Sequence, residues 1–135
     1  MPRYLLDTSV YCQPLKPTPH PMVVARWKAA GDDVMFIAAI AMAELLYGLK
    51  LKNSPRLWRH YEALLKGLYP VVAFDEEVAE HFAELKAHCT ASGRPIADLD
   101  LQIAATAKRH GMIVVTLNAR HFVGLPGVAC ESWAA

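Results

Sequence analysis

Four short apolar runs, each set apart by a helical pattern, constrain the fold more than anything else in this chain. They are Tyr4-Leu5-Leu6, Val34-Met35-Phe36-Ile37, Pro70 to Phe74, and Met112-Ile113-Val114-Val115-Thr116. The second is apolar at every position, as in a strand covered on both faces. Helical patterns lie between the runs, over about 20–30, 39–51, 54–68 and 75–91, with a last one between Pro95 and Gly111. Strands alternating with helices predict an α/β three-layer sandwich. Its centre is a mostly parallel sheet of four or five strands, with helices on both faces. Val128 to Cys130 is read as a last edge strand, ending at Trp133. Pro14 to Pro21 holds four prolines and is read as a loop. At 135 residues, the chain is expected to form one domain over residues 1–135.

Composition narrows the function classes. With 54% hydrophobic and 20% charged residues the chain is not disordered. So much apolar surface on a small domain suggests an interface. The net charge of +1 does not by itself demand a nucleic-acid partner, so any such binding needs a local patch. Lys50, Lys52, Arg56, Arg59, His60 and Lys66, relieved only by Glu62, form one candidate. Such a run is more often a solvated face, with a track for RNA phosphates as the alternative. Three scattered cysteines, Cys12, Cys89 and Cys130, show neither metal spacing nor a disulfide framework, which fits a reducing cytoplasm. The longest nearly uncharged run, Val34 to Leu49, has 16 residues and contains Glu44. A membrane span needs about 20, so a soluble protein away from the membrane is expected.

Three acids stand out. Placed at 3.6 residues per turn, Asp98 falls with Gln102, Thr106 and Arg109 on the polar side of its helix. It reads as an N-cap or a solvated acid. Asp100 falls instead with Ile103, Ala104 and Ala107, on the apolar side, with no Lys or Arg three or four residues on. A carboxylate there is costly unless a positive charge sits opposite. Glu44 has Ile40, Ala41, Tyr47 and Gly48 as its neighbours on the helix, none of them basic. Gly48 leaves space beside it. Asp7 directly follows the first strand. By contrast, Asp75, Glu76 and Glu77 open a helix, where the dipole explains them.

In open parallel sheets, ligands gather at the carboxyl ends of the strands. That topology brings Asp7, Glu44 and Asp100 to one edge, with Thr116 and Asn118 where the fourth strand ends. Three carboxylates with few bases nearby make a hard-oxygen site, suited to Mg²⁺ or Mn²⁺ rather than Zn²⁺. Without metal, crowded carboxylates should raise the pKa of at least one.

These pieces resemble the PIN-domain ribonucleases, and among them the VapC-type toxins of toxin–antitoxin pairs. The matching segments are Leu5-Leu6-Asp7-Thr8-Ser9, Ala43-Glu44-Leu45-Leu46-Tyr47-Gly48, and Gly93-Arg94-Pro95-Ile96 followed by Asp100 and Ile103-Ala104-Ala105. The fourth is Val114-Val115-Thr116 with Asn118 and Phe122. The resemblance implies a PIN-like fold and a metal-dependent endoribonuclease acting on RNA. It puts the family's three acids on Asp7, Glu44 and Asp100, as catalytic residues and metal ligands for Mg²⁺ or Mn²⁺. Asp98, Thr116 and Asn118 become candidate outer-shell or substrate residues. The family often carries a fourth acid after the last core strand, where this chain has Asn118 and His121 and no acid between Asp100 and Glu131. As partners it implies a small VapB-type antitoxin and a second copy of the toxin. Two other readings stay open. One is a PIN-fold binding or regulatory module with weak or no nuclease activity. The other is a phosphatase using Asp7 as nucleophile, disfavoured because Ser9 stands where a second acid is usual.

Overall fold

A computed structural model describes residues 1–134. The sheet is wholly parallel and five-stranded. Its strands are β1 (Tyr4–Leu6), β2 (Met35–Ala38), β3 (Val71–Val72), β4 (Ile113–Thr116) and β5 (Ala129–Ser132), in spatial order β3-β2-β1-β4-β5. The order runs outward one way from β1 to β3, then restarts on the other side with β4 and β5. Neighbouring β1 and β4 therefore flank the point where the winding reverses. In such sheets a crevice opens there, outside the carboxyl ends of the two strands. In register, Leu5 pairs with Phe36 on one side and Val114 on the other. Leu5, Leu6, Ile37, Val114 and Val115 are all buried, as central strands covered on both faces must be.

Among the described residues, six α-helices complete the layers: α1 (Thr8–Tyr11), α2 (Pro21–Ala30), α3 (Ala39–Lys52), α4 (Pro55–Leu64), α5 (Glu76–Ala91) and α6 (Asp98–His110). Local chemistry sets their ends. His20 caps α2, its Nδ1 accepting from the Met22 amide at 3.2 Å. Ser54 and Asp75 cap α4 and α5 through the amides of Leu57 and Val78. Gly111, at φ +65, ends α6 in the left-handed conformation. No helix is long and apolar enough to cross a membrane among the described residues.

Several expectations are corrected. The third strand is expected from Pro70 to Phe74 but forms only at Val71–Val72, on an outer edge where Val71 is half exposed. The helix expected to reach Leu68 stops at Leu64, and the chain turns through Gly67 at φ +73. In α2, Met22 is 43% exposed, whereas Val23 is buried against the core. Thr106, placed on the polar side of α6, is buried. Its hydroxyl donates to the Gln102 carbonyl at 2.8 Å, which satisfies it without water. Helix α6 packs along α5 and also touches α3 and β4, so most of its circumference from Leu101 to Ala107 is covered.

Candidate active site

Asp7 is the first residue beyond β1, and its amide continues the ladder by donating to the Val115 carbonyl at 2.9 Å. The extended backbone of Asp7 makes it the N-cap of α1. Oδ1 accepts from the Thr8 amide at 2.8 Å. Oδ2 accepts from Ser9 Oγ at 3.0 Å and Thr116 Oγ1 at 2.8 Å. The two hydroxyls are themselves held, accepting from the amides of Leu117 and Asn118. The end of β4 thus grips the carboxylate that ends β1. Asp7 is buried, with three donors in place.

Asp100, in the first turn of α6, is treated otherwise. One contact reaches it: His121 Nδ1 stands 2.9 Å from Oδ2. Its Oδ1 has no hydrogen-bond partner among the described residues. Burial raises the pKa of Asp100 above its ordinary value, and the negative charge of Asp7 raises it further. His121 works against both. The expected repulsion between crowded carboxylates is therefore present, between Asp7 and Asp100.

Glu44 lies in the second turn of α3, half-buried, with neither hydrogen bond nor ion pair among the described residues. The distant Arg or Lys that would have explained it as a structural acid is missing. It lines a groove of about 750 Å³ whose walls include Thr8, Cys12 and Gly48. A Cβ on Gly48 would meet nothing within 4 Å, so the expected space beside Glu44 is real. Lys16, Lys52, Arg56 and His60 also line the groove. Three members of the basic run thus open onto the same groove as Glu44. Lys50 lies instead over the Trp58 ring, 5.5 Å from its centroid. Burial raises the thiol pKa of Cys12; Lys16 opposes this, and the charges of Asp7 and Glu44 add smaller upward pushes. The charge of Asp7 is thus felt at both Asp100 and Cys12.

Glu44 opens onto the groove, and Asp7 lies close enough to Asp100 for its charge to be felt there, but the three acids do not form a closed ligand cage. Among the described residues, no group of three His, Cys, Asp or Glu side chains stands ready to hold a metal. The donor set still fits a hard divalent cation. Mg²⁺ keeps several waters and commonly takes only one or two protein carboxylates. Asp7 and Asp100 supply two mutually repelling ones, and Thr8 Oγ1 is a buried hydroxyl without a partner nearby.

The remaining candidates sort clearly. Thr116 is buried and donates to Asp7. Asn118 is exposed, and its side chain makes no hydrogen bond among the described residues. Asp98 is not the N-cap of α6, because Ala97 holds that place. Asp98 is the first helical residue and pairs with Lys86, Oδ1 to Nζ 3.0 Å, out in solvent. Two contributors were not singled out from sequence. Ser9 follows the capping Asp7 by two residues, a spacing that permits the hydroxyl to return to the cap. His121 gave no local signal, because its partner lies 21 residues away.

A parallel sheet with an acid-lined crevice at its reversal point defines a class, and the comparisons agree on it. The PIN-domain family model matches residues 4–125, and the chain belongs to that family. Within it the chain is of the VapC type. It is 33% identical over 135 residues to Toxin FitB of Neisseria gonorrhoeae, covering 96% of this chain and 97% of that one. It is 31% identical over 134 residues to Ribonuclease VapC2 of Haemophilus influenzae, covering 98% and 99%. The crystal structure of FitAcB from Neisseria gonorrhoeae superposes with a TM-score of 0.88 at 32% identity, covering 96% of this chain and 97% of that chain.

Proposed function

We propose that the protein is a metal-dependent endoribonuclease, the toxin of a type II toxin–antitoxin pair, hydrolysing phosphodiester bonds in RNA. The observation that carries this is that Asp100 keeps Oδ1, and Glu44 its whole carboxylate, without a hydrogen-bond partner among the described residues, with Glu44 opening onto a groove that also holds Lys16, Lys52 and Arg56. The names of the relatives support the nuclease and toxin assignments.

Asp7 and Asp100 would hold Mg²⁺ or Mn²⁺, which supplies Lewis acidity toward the scissile phosphate and lowers the pKa of bound water. The chain's own residues then have separate tasks. Ser9 and Thr116 keep Asp7 in one rotamer, so its carboxylate needs no reorganisation. Glu44, with no protein partner, accepts a hydrogen bond from the attacking water and orients it. Lys16, Lys52 and Arg56 attract the RNA backbone along the groove. The exposed amide of Asn118, beyond the end of β4, would contact the RNA strand. A small antitoxin of the VapB type would mask this face, and the apolar excess of the chain suits both that partner and pairing between toxin copies.

The test is cleavage of total RNA with sites mapped, in Mg²⁺ or Mn²⁺ and with EDTA. Cleavage that needs the metal and falls by at least about a hundredfold in Asp7→Asn supports the reading. A second reading, a PIN-fold binding module, draws on the absence of a closed three-ligand set. It predicts that Asp7→Asn binds RNA or antitoxin unchanged and that no cleavage is lost, there being none.

A further inference from the structure

The turn after β4 is tied to the start of α6 by two side chains that the proposed reaction leaves without a task. Arg94, in the segment leading into α6, donates from Nη2 to the Arg120 carbonyl at 2.8 Å. The turn closes around that guanidinium: a Cβ on Gly124 would lie 3.4 Å from Arg94 Nη1. Phe122 is fully buried and anchors the same turn in the core. Between these two fixed points sits His121, its Nδ1 2.9 Å from Asp100 Oδ2. The backbone is thus fixed on both sides of His121, and the turn presents the ring to Asp100.

A carboxylate in the first turn of a helix can rotate about two side-chain bonds. A donor fixed on Oδ2 removes that freedom and leaves Oδ1 as the oxygen without a protein partner. We propose that His121 is a positioning residue for Asp100: its Nδ1–H donor holds Oδ2 and presets the carboxylate so that Oδ1 is offered to the divalent cation. This rests on the reading of Asp7 and Asp100 as the metal-holding pair. Outer hydrogen bonds of this kind typically change metal affinity by about 10- to 100-fold. An asparagine amide keeps an N–H donor close to where Nδ1 stands, and alanine removes it.

The experiment is titration of the full chain with Mn²⁺ in the absence of RNA, by calorimetry or by the electron-paramagnetic signal of free Mn²⁺. Wild type, His121→Ala and His121→Asn are compared, each with its metal-free melting temperature. His121→Ala is expected to weaken Mn²⁺ binding about tenfold or more. His121→Asn should restore most of the affinity, and all three should melt alike without metal. The role is overturned if His121→Ala binds Mn²⁺ as tightly as wild type, or if His121→Asn is as weak as His121→Ala. It is also overturned if the alanine variant loses metal-free stability while keeping its affinity. Asp7→Asn and Asp100→Asn separate the two levels of the argument. An affinity indifferent to both sinks the metal-pair reading, and the role of His121 with it. An affinity that depends on both but not on His121 sinks only the positioning role.

Discussion

The two walls of the crevice treat their carboxylates in opposite ways. On the β1–β4 wall, Asp7 takes donors from Thr8, Ser9 and Thr116, and is buried. On the helical walls, Asp100 has His121 alone and Glu44 has no partner among the described residues. A protein that needed these acids only for stability would satisfy all three, because an unmatched buried charge is costly. The difference teaches that the fold fixes one acid as an anchor and leaves the others to be completed from outside the chain.

The largest test of that contrast removes the anchor. Asp7→Ala strips three donors of their acceptor and deletes the cap of α1. A loss of roughly 2–4 kcal/mol is expected in urea denaturation without metal. A neutral result would break the comparison, since the β1 wall would then not depend on its carboxylate. Asp7→Asn should cost much less, because its amide keeps an acceptor oxygen. Thr116→Val comes next. It keeps the shape but removes the donor to Asp7 and the acceptor for the Asn118 amide. A cost of about 1–2 kcal/mol is expected by the same measurement.

The anchor side was also the more legible side. Asp7 directly follows an apolar strand, and Thr116 ends another, so strand limits and the rule for parallel sheets place both at the crevice. Glu44 and Asp100 could be singled out because hydrophobic neighbours surround them on their helices without a basic residue in reach. The contact between His121 and Asp100 had no such signal, because it depends on how the turn after β4 folds back over α6. Thr106 misled the helical projection for a related reason. Polarity marks a face as solvated only when no neighbouring element covers it, and α5 and α3 crowd α6. Helix α1 leaves no trace in the sequence pattern, because four residues, Thr8–Tyr11, are too few to show a period. Asp98 was legible as unimportant to the core, but not as one step beyond the cap.

A smaller effect sharpens the Asp100 side. Its pKa is raised above 3.8 in the folded chain, by burial first and by Asp7 second. The folded state then holds that proton to higher pH than the unfolded state does. Stability tied to this group is therefore present below the ordinary carboxylate pKa and is lost as pH rises through the raised folded value. Asp100→Asn removes the titration. The stability of the variant relative to wild type, without metal, should rise between about pH 3 and about pH 7. Adding Mg²⁺ or Mn²⁺ at neutral pH should reverse the ranking, because only wild type keeps the full pair. A difference that stays flat across that range would mean that neither burial nor the charge of Asp7 raises the pKa of Asp100.

The smallest effect on stability is expected where the wall is most open. Glu44→Gln keeps the shape of the side chain and removes its charge. With no ion pair or hydrogen bond to lose among the described residues, the metal-free protein should change by no more than about 0.5 kcal/mol. Removing a negative charge from a groove that also holds Lys16, Lys52 and Arg56 should, if anything, help RNA to bind. Cleavage should nevertheless fall steeply, because the acceptor for the attacking water loses its charge. Unchanged folding, RNA affinity held or improved, and lost turnover together form a signature that a structural acid cannot produce. If Glu44→Gln instead unfolded the protein, Glu44 would belong with Asp7 among the fixed acids, and the contrast between the walls would fail.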